Sequence, residues 1–115
     1  MMITIFGISN CDTVKRARQW LAAEGLEHRF HDVRKDGLDG ARLDQWIAAL
    51  GWEALLNKGG TTFRNLPDAD KLGLDAARAR ALMLSEPAMI KRPVVDHGGK
   101  FLVGFKPDVW AAALR

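Results

Sequence analysis

Residues 2–33 constrain the fold more than any other part of the chain. "MITIF" (2–6) is a short β-branched run followed by a loop and reads as a buried strand. From Asp12 the spacing changes. Val14, Ala17 and Leu21 fall at i, i+3 and i+7, Lys15, Arg16 and Arg18 cover the other faces, and Gly25 stands where a helix stops. "LEHRFHDV" (26–33) predicts a second strand. Strand, helix and strand in this order make a βαβ unit, with its loop–helix junction at Cys11.

"KDGLDG" (35–40) breaks the chain before a second helix, in which Leu43, Trp46, Ile47 and Leu50 form an i, i+3, i+4, i+7 stripe ending at Gly51. "WEALL" predicts one more helical turn, "NKGGTTFRNLPD" (57–68) a polar loop, and "LDAARARALML" (74–84) another helix. "RPVVDHGGKFLVGF" (92–105) reads as an antiparallel hairpin turning at His97-Gly98-Gly99. "KPDVWAAALR" closes with a helix whose Pro107 suits the first helical position. The order β-α-β, helices, β-β-α is that of a thioredoxin-like α/β fold, a mixed four-stranded sheet with a central helical insertion at about 38–88. The 115 residues suit one such domain, 1–115.

Composition narrows the function classes. No apolar run approaches the ~20 residues of a membrane span, and the N-terminus has no basic segment or cleavage-like site. One cysteine cannot form an internal disulfide, so a reducing cytoplasm is the expected location. Seventeen Lys and Arg against fourteen Asp and Glu give a mild excess, spread along the chain, which argues against nucleic acid and suits small anionic ligands. His28 and His31, three apart on a strand, point to opposite faces, so a zinc site is not expected. Trp20, Trp46, Trp52 and Trp110 lie in or beside helices and, with Met83 and Met89, read as core.

Cys11 is the candidate for chemistry. A cysteine just before a helix faces the unpaired N–H groups of the first turn and the positive end of the helix dipole. Both favour thiolate, and such cysteines have pKa values lowered from ~8.5 to as little as ~3.5. Lys15, one turn on, is expected to add a cation, and polar Asn10 and Asp12 flank the sulfur. Cys-Asp-Thr-Val is not C-x-x-C, so a disulfide made by Cys11 needs an external thiol to resolve it, and glutathione is the abundant candidate. "MIKRPVV" (89–95) opens a strand with Pro93. Arg92 beside it can bring a guanidinium suited to bidentate binding of a carboxylate or oxyanion.

"IFGISNCDTVKRARQWL", "LLNKGGTTFR", "MIKRPVV" and "LVGFKPD", in this order over nearly the whole chain, resemble the arsenate-reductase (ArsC)/Spx family and its YffB-like branch. The resemblance implies a thioredoxin-like fold, Cys11 as the redox residue, and a cis-proline at Pro93 preceded by Arg92 and facing the cysteine. Glutaredoxin-coupled arsenate reductases carry three arginines around that cysteine. Here the first falls on Asn57 and the last on Lys106. The family's histidine four residues before the cysteine is Gly7, and its serine three after it is Val14. Arginine and lysine are not interchangeable at a bidentate oxyanion site.

The expected activity is therefore a glutathione-dependent monothiol reductase acting through a Cys11 mixed disulfide. Arg92, Pro93, Asn10, Asp12, Thr13, Arg64 and Lys106 form the candidate glutathione-binding set. Glutathione is expected as co-substrate rather than as a tightly bound cofactor, and glutaredoxin is a candidate partner. No metal, nucleic acid or membrane is expected. The alternatives are a genuine arsenate reductase, or a Spx-like regulator contacting RNA polymerase. Such regulators commonly carry a C-x-x-C switch and an extended C-terminal region, and this sequence shows neither.

Overall fold

The computed structural model describes residues 2–115. The chain forms two compact units. One comprises the chain up to Gly37 together with Arg92–Arg115, and the other is Leu38–Lys91.

The first unit holds β1 (Ile3–Gly7), α1 (Asp12–Ala23), β2 (His28–Asp32), β3 (Val94–His97), β4 (Lys100–Val103) and a C-terminal helix, Pro107–Leu114. Its sheet has the order β2-β1-β3-β4. β1 pairs parallel with β2, Gly7 opposite Asp32, and antiparallel with β3, Ile5 opposite Val95. β3 and β4 form a hairpin through Gly98 and Gly99. Both glycines have positive φ, +61° and +88°, as a two-residue type I′ turn requires. The arrangement is thioredoxin-like and mixed, as the sequence order predicts.

Alternation along the strands decides what is buried. Ile3 and Ile5 pack with Ala17, Leu21, Val95, Trp110 and Leu114 into one cluster. Trp20, Phe105 and Trp110 meet edge to face with centroids 5.0–6.2 Å apart. Each such pair adds about 0.5–1.5 kcal/mol beyond the area it buries. The Trp110 indole donates to the Gly104 carbonyl at 3.0 Å, so its polar atom is satisfied. Gly7 lies where β1 passes under α1. A Cβ there would sit 2.6 Å from Val14 Cγ2, so a glycine is needed for the approach.

The second unit is helical: α2 (Gly40–Leu50), α3 (Trp52–Leu55), α4 (Thr61–Arg64) and α5 (Ala76–Ser85), which makes the C-terminal helix α6. Asp39 and Asp75 cap α2 and α5 by accepting the Arg42 and Arg78 N–H groups at 2.7 and 2.8 Å. Trp46, Leu55, Phe63, Met83 and Met89 are buried in it. The segment 57–68, expected as a loop, instead contains the helical turn of α4 and leads into a 3₁₀ turn at Asp68–Lys71. Burial of Phe63 explains α4, which is too short to form on propensity alone. No helix among the described residues is long and apolar enough to cross a membrane.

Candidate active site

Cys11 is the N-cap of α1, with φ −109° and ψ 121°, and is half-buried. Its carbonyl accepts the Lys15 N–H at 3.0 Å and starts the helix. The extended N-cap backbone places the sulfur beside the first turn, where it makes no full cap hydrogen bond but feels the Val14 and Thr13 N–H groups. Partial burial alone pushes the thiol up. It is outweighed by the Val14 N–H, by the hydrogen bond and positive charge of Arg92, and by the Thr13 N–H, so the Cys11 pKa lies below the ordinary thiol range.

Of the two cations the sequence offered, Lys15 and Arg92, the one that acts on the sulfur is Arg92. The Lys15 side chain is exposed on α1, and the sulfur's charged partner is the arginine at the start of β3. Arg92 is half-buried, and its bond to Pro93 is cis. The Pro93 carbonyl accepts the Gly104 N–H at 2.9 Å, which ties this corner to the end of β4.

Cys11, Thr13 and Arg92 therefore come together, and Pro93, next to Arg92, is buried. Asn10 and Asp12 flank the cysteine and are exposed. Lys106 is exposed at the N-cap of α6. Arg64 is exposed at the end of α4 in the helical unit, where its carbonyl accepts the Lys71 ammonium at 2.7 Å. Asn57 lies in the same unit and donates its N–H to Met89 at 2.7 Å. Among the described residues, no three His, Cys, Asp or Glu side chains converge as a metal site would require.

The two small departures beside the cysteine form one contact, since Val14 packs directly on Gly7. Where the related reductases are expected to place a histidine and a serine, this chain has an apolar methyl-to-backbone contact with no proton to exchange.

Sequence reasoning missed Asp32. Its carboxylate is buried at 4% exposure at the end of β2. It accepts the Ser9 N–H at 3.1 Å and the Arg34 and Lys35 N–H groups at 2.9 and 3.0 Å. Burial raises its pKa, but these donors outweigh that and hold it below the usual carboxylate range. The signal available was an aspartate closing a strand and followed by polar residues, the Asx-turn pattern. A cleft of about 470 Å³ lies beside it, lined by Ile8, Ser9, Asn10, Asp32, Arg34 and Lys35. Its lining sets the Arg34 and Lys35 residues against the one carboxylate of Asp32.

The sequence matches the ArsC family over residues 6–113. The chain belongs to the ArsC family. Within it, the solved structure of the YFFB (PA3664) protein superposes with a TM-score of 0.94 at 50% identity, covering 98% of this chain and 99% of that one. An uncharacterized protein of Haemophilus influenzae is 46% identical over 112 residues, 97% of this chain and 98% of that one. The global transcriptional regulator Spx of Streptococcus agalactiae is 24% identical over 110 residues, 93% of this chain and 79% of that one. Family membership accords with the thioredoxin-like sheet, and it makes oxidoreductase chemistry the coarse expectation for this chain.

Proposed function

We propose that this ArsC-family chain is a monothiol reductase that uses glutathione. The observation that carries the reading is the Cys11 thiol, held below its ordinary pKa by two helix N–H groups and by Arg92. The thiolate is the nucleophile that disulfide exchange requires, and a lowered pKa raises its share at a given pH. Cys11 attacks the glutathione sulfur of a glutathione mixed disulfide. The S–S bond breaks, the substrate thiolate leaves and takes a proton, and Cys11 becomes glutathionylated. With no second cysteine in the chain, a second glutathione thiolate attacks that adduct and releases Cys11 and glutathione disulfide. The sum is one free glutathione and one glutathione mixed disulfide going to the substrate thiol and glutathione disulfide. Arg92 fits a role in receiving a carboxylate of the glutathionyl group in a planar, two-bonded contact.

Arsenate reduction is the less supported activity. Asn57 and Lys106 stand at two expected arginine positions, and a single lost oxyanion donor costs roughly 10²–10³ in rate. The Spx relative offers a regulatory reading, with the thiol as a sensor on a protein that contacts RNA polymerase. The lone Cys11, without a C-x-x-C partner, favours the enzyme.

The test is incubation with glutathione disulfide followed by mass measurement, then glutathione-coupled turnover on a glutathione mixed disulfide and on arsenate. One glutathionyl adduct, absent from Cys11→Ser, with turnover on the disulfide and little on arsenate, is expected. An unmodified thiol would defeat the proposal, and turnover on arsenate comparable to a glutaredoxin-coupled reductase would replace it.

A further inference from the structure

The segment that delivers the chain from β1 to the cysteine is Ile8-Ser9-Asn10, and its direction of entry sets the extended N-cap backbone of Cys11. Asp32 holds the middle of that segment. One carboxylate oxygen, Oδ2, accepts the Ser9 N–H, and the other, Oδ1, accepts both Arg34 and Lys35 N–H groups. The parallel register puts Asp32 directly opposite Gly7, and the Val33 N–H donates to the Gly7 carbonyl at 2.9 Å, so the two chain segments are joined on both sides of the carboxylate. Asp32 is itself fixed: its N–H donates to Asp36 Oδ2 at 3.0 Å and its carbonyl accepts the Asp36 N–H at 2.7 Å.

We propose that Asp32 is a positioning residue of the cysteine site, a buried carboxylate that clamps the Ser9–Cys11 segment to the turn after β2 and so keeps the sulfur over the Thr13 and Val14 N–H groups and beside Arg92. The chemistry of the contacts requires a carboxylate. The three backbone partners of the side chain are N–H donors, the Ser9 side chain adds a fourth hydrogen bond, and an ionised carboxylate offers acceptors only. In Asp32→Asn the amide oxygen is best kept on the side with two donors. Its NH₂ then faces the Ser9 N–H, donor against donor, and the isosteric change releases the cysteine segment while leaving the turn after β2 in place.

The sign of the effect separates positioning from charge. Removing a nearby negative charge, by itself, makes a thiolate easier to form. Releasing the segment takes the sulfur away from its N–H and guanidinium donors and makes a thiolate harder to form. The inference rests on the proposed thiolate chemistry, and the experiment tells the two apart. Iodoacetamide alkylation of Cys11 is followed against pH in the full wild-type chain, in Asp32→Asn, and in Asp36→Asn, which alters the outer contact but leaves the carboxylate on Ser9. Amide hydrogen exchange is read at Ser9, Asn10, Ile5 and Val95.

A wild-type midpoint at the free-thiol value would defeat the functional reading. If that midpoint is low, Asp32→Asn is expected to raise it, with alkylation at neutral pH slowed about three- to tenfold, the weight of one hydrogen bond. The Ser9 amide should exchange faster while Ile5 and Val95 stay protected, and Asp36→Asn should keep the wild-type midpoint. An unchanged or lowered midpoint in folded Asp32→Asn overturns the proposal. Should Asp32→Asn fail to fold, as exposed Ile5 and Val95 amides would show, the wild-type chain decides. Ser9 exchanging as fast as exposed Asn10 would overturn the clamp, and Ser9 protected like the strands would support it.

Discussion

Replacing Arg92 with alanine should slow Cys11 in one pH range and speed it in another. The guanidinium both hydrogen-bonds the sulfur and attracts it by charge. A hydrogen bond to a charged group contributes about 1.5–3 kcal/mol, and the half-buried site, screened by water, belongs at the low end. About 1.5 kcal/mol is a factor of roughly ten in thiolate population. A thiolate with a higher pKa is also the better nucleophile, with a Brønsted slope of about 0.4–0.5, which returns close to threefold in rate. Against a neutral disulfide such as 2-hydroxyethyl disulfide, Arg92→Ala should therefore be about threefold slower below both midpoints. Above both it should be about threefold faster. Against glutathione disulfide the deficit at neutral pH should deepen to at least about tenfold, because the variant also lacks the carboxylate contact. Arg92→Lys should recover much of the thiolate effect but little of the carboxylate effect, since it keeps the charge and loses the planar fork. The assay is stopped-flow or quenched mass spectrometry at several pH values with both disulfides. Equal rates for wild type and alanine variant across the range, or a uniform deficit with no crossover for the neutral disulfide, would refute the reasoning and leave Arg92 as a surface residue.

Two further outcomes concern stability. Gly7→Ala drives a methyl group into Val14 Cγ2 and should destabilise the fold by about 1–3 kcal/mol in urea unfolding, with the double change Gly7→Ala/Val14→Ala costing less than the sum of the two single ones. Asp32 has a depressed pKa when folded, so its contribution is complete above its unfolded value of ~3.9 and lost as pH falls through the folded value. The urea midpoint of the wild type should accordingly fall more steeply below about pH 4 than that of Asp32→Asn, and parallel curves would show that the carboxylate carries no linked stability.

Features governed by local periodicity were legible in the sequence. α1 follows from the Val14, Ala17 and Leu21 stripe, α2 from Leu43 and Trp46, and the hairpin from Gly98-Gly99. Cys11 was legible as a helix-start thiol because the strand, the loop and the helix lie next to one another in the chain. What escaped depends on which distant residues meet. Lys15 is near Cys11 in sequence, yet its side chain is exposed, whereas Arg92, named in the sequence only through Pro93 and the family resemblance, is brought in by the pairing of β1 with β3. Asp32 went unremarked because only the Gly7–Asp32 register reveals that it meets Ser9. α4 was hidden by Gly59, Gly60 and Pro67, strong turn signals that a single buried Phe63 overrides.

The origin of the thiolate's partners bears on when the protein becomes reactive. Thr13 and Val14 are supplied by the same helix as Cys11, but Arg92 follows the whole helical segment Leu38–Lys91 and reaches the sulfur only through the pairing of β1 with β3. Contacts of such long sequence separation form late, after the loop-closure entropy of the intervening chain has been overcome. During synthesis, and in any chain interrupted before β3, Cys11 has its helix N–H groups at most and behaves more like an ordinary thiol. The share of reactivity that Arg92 supplies, about threefold toward a neutral disulfide below both midpoints, is therefore gained only with the last strands of the sheet.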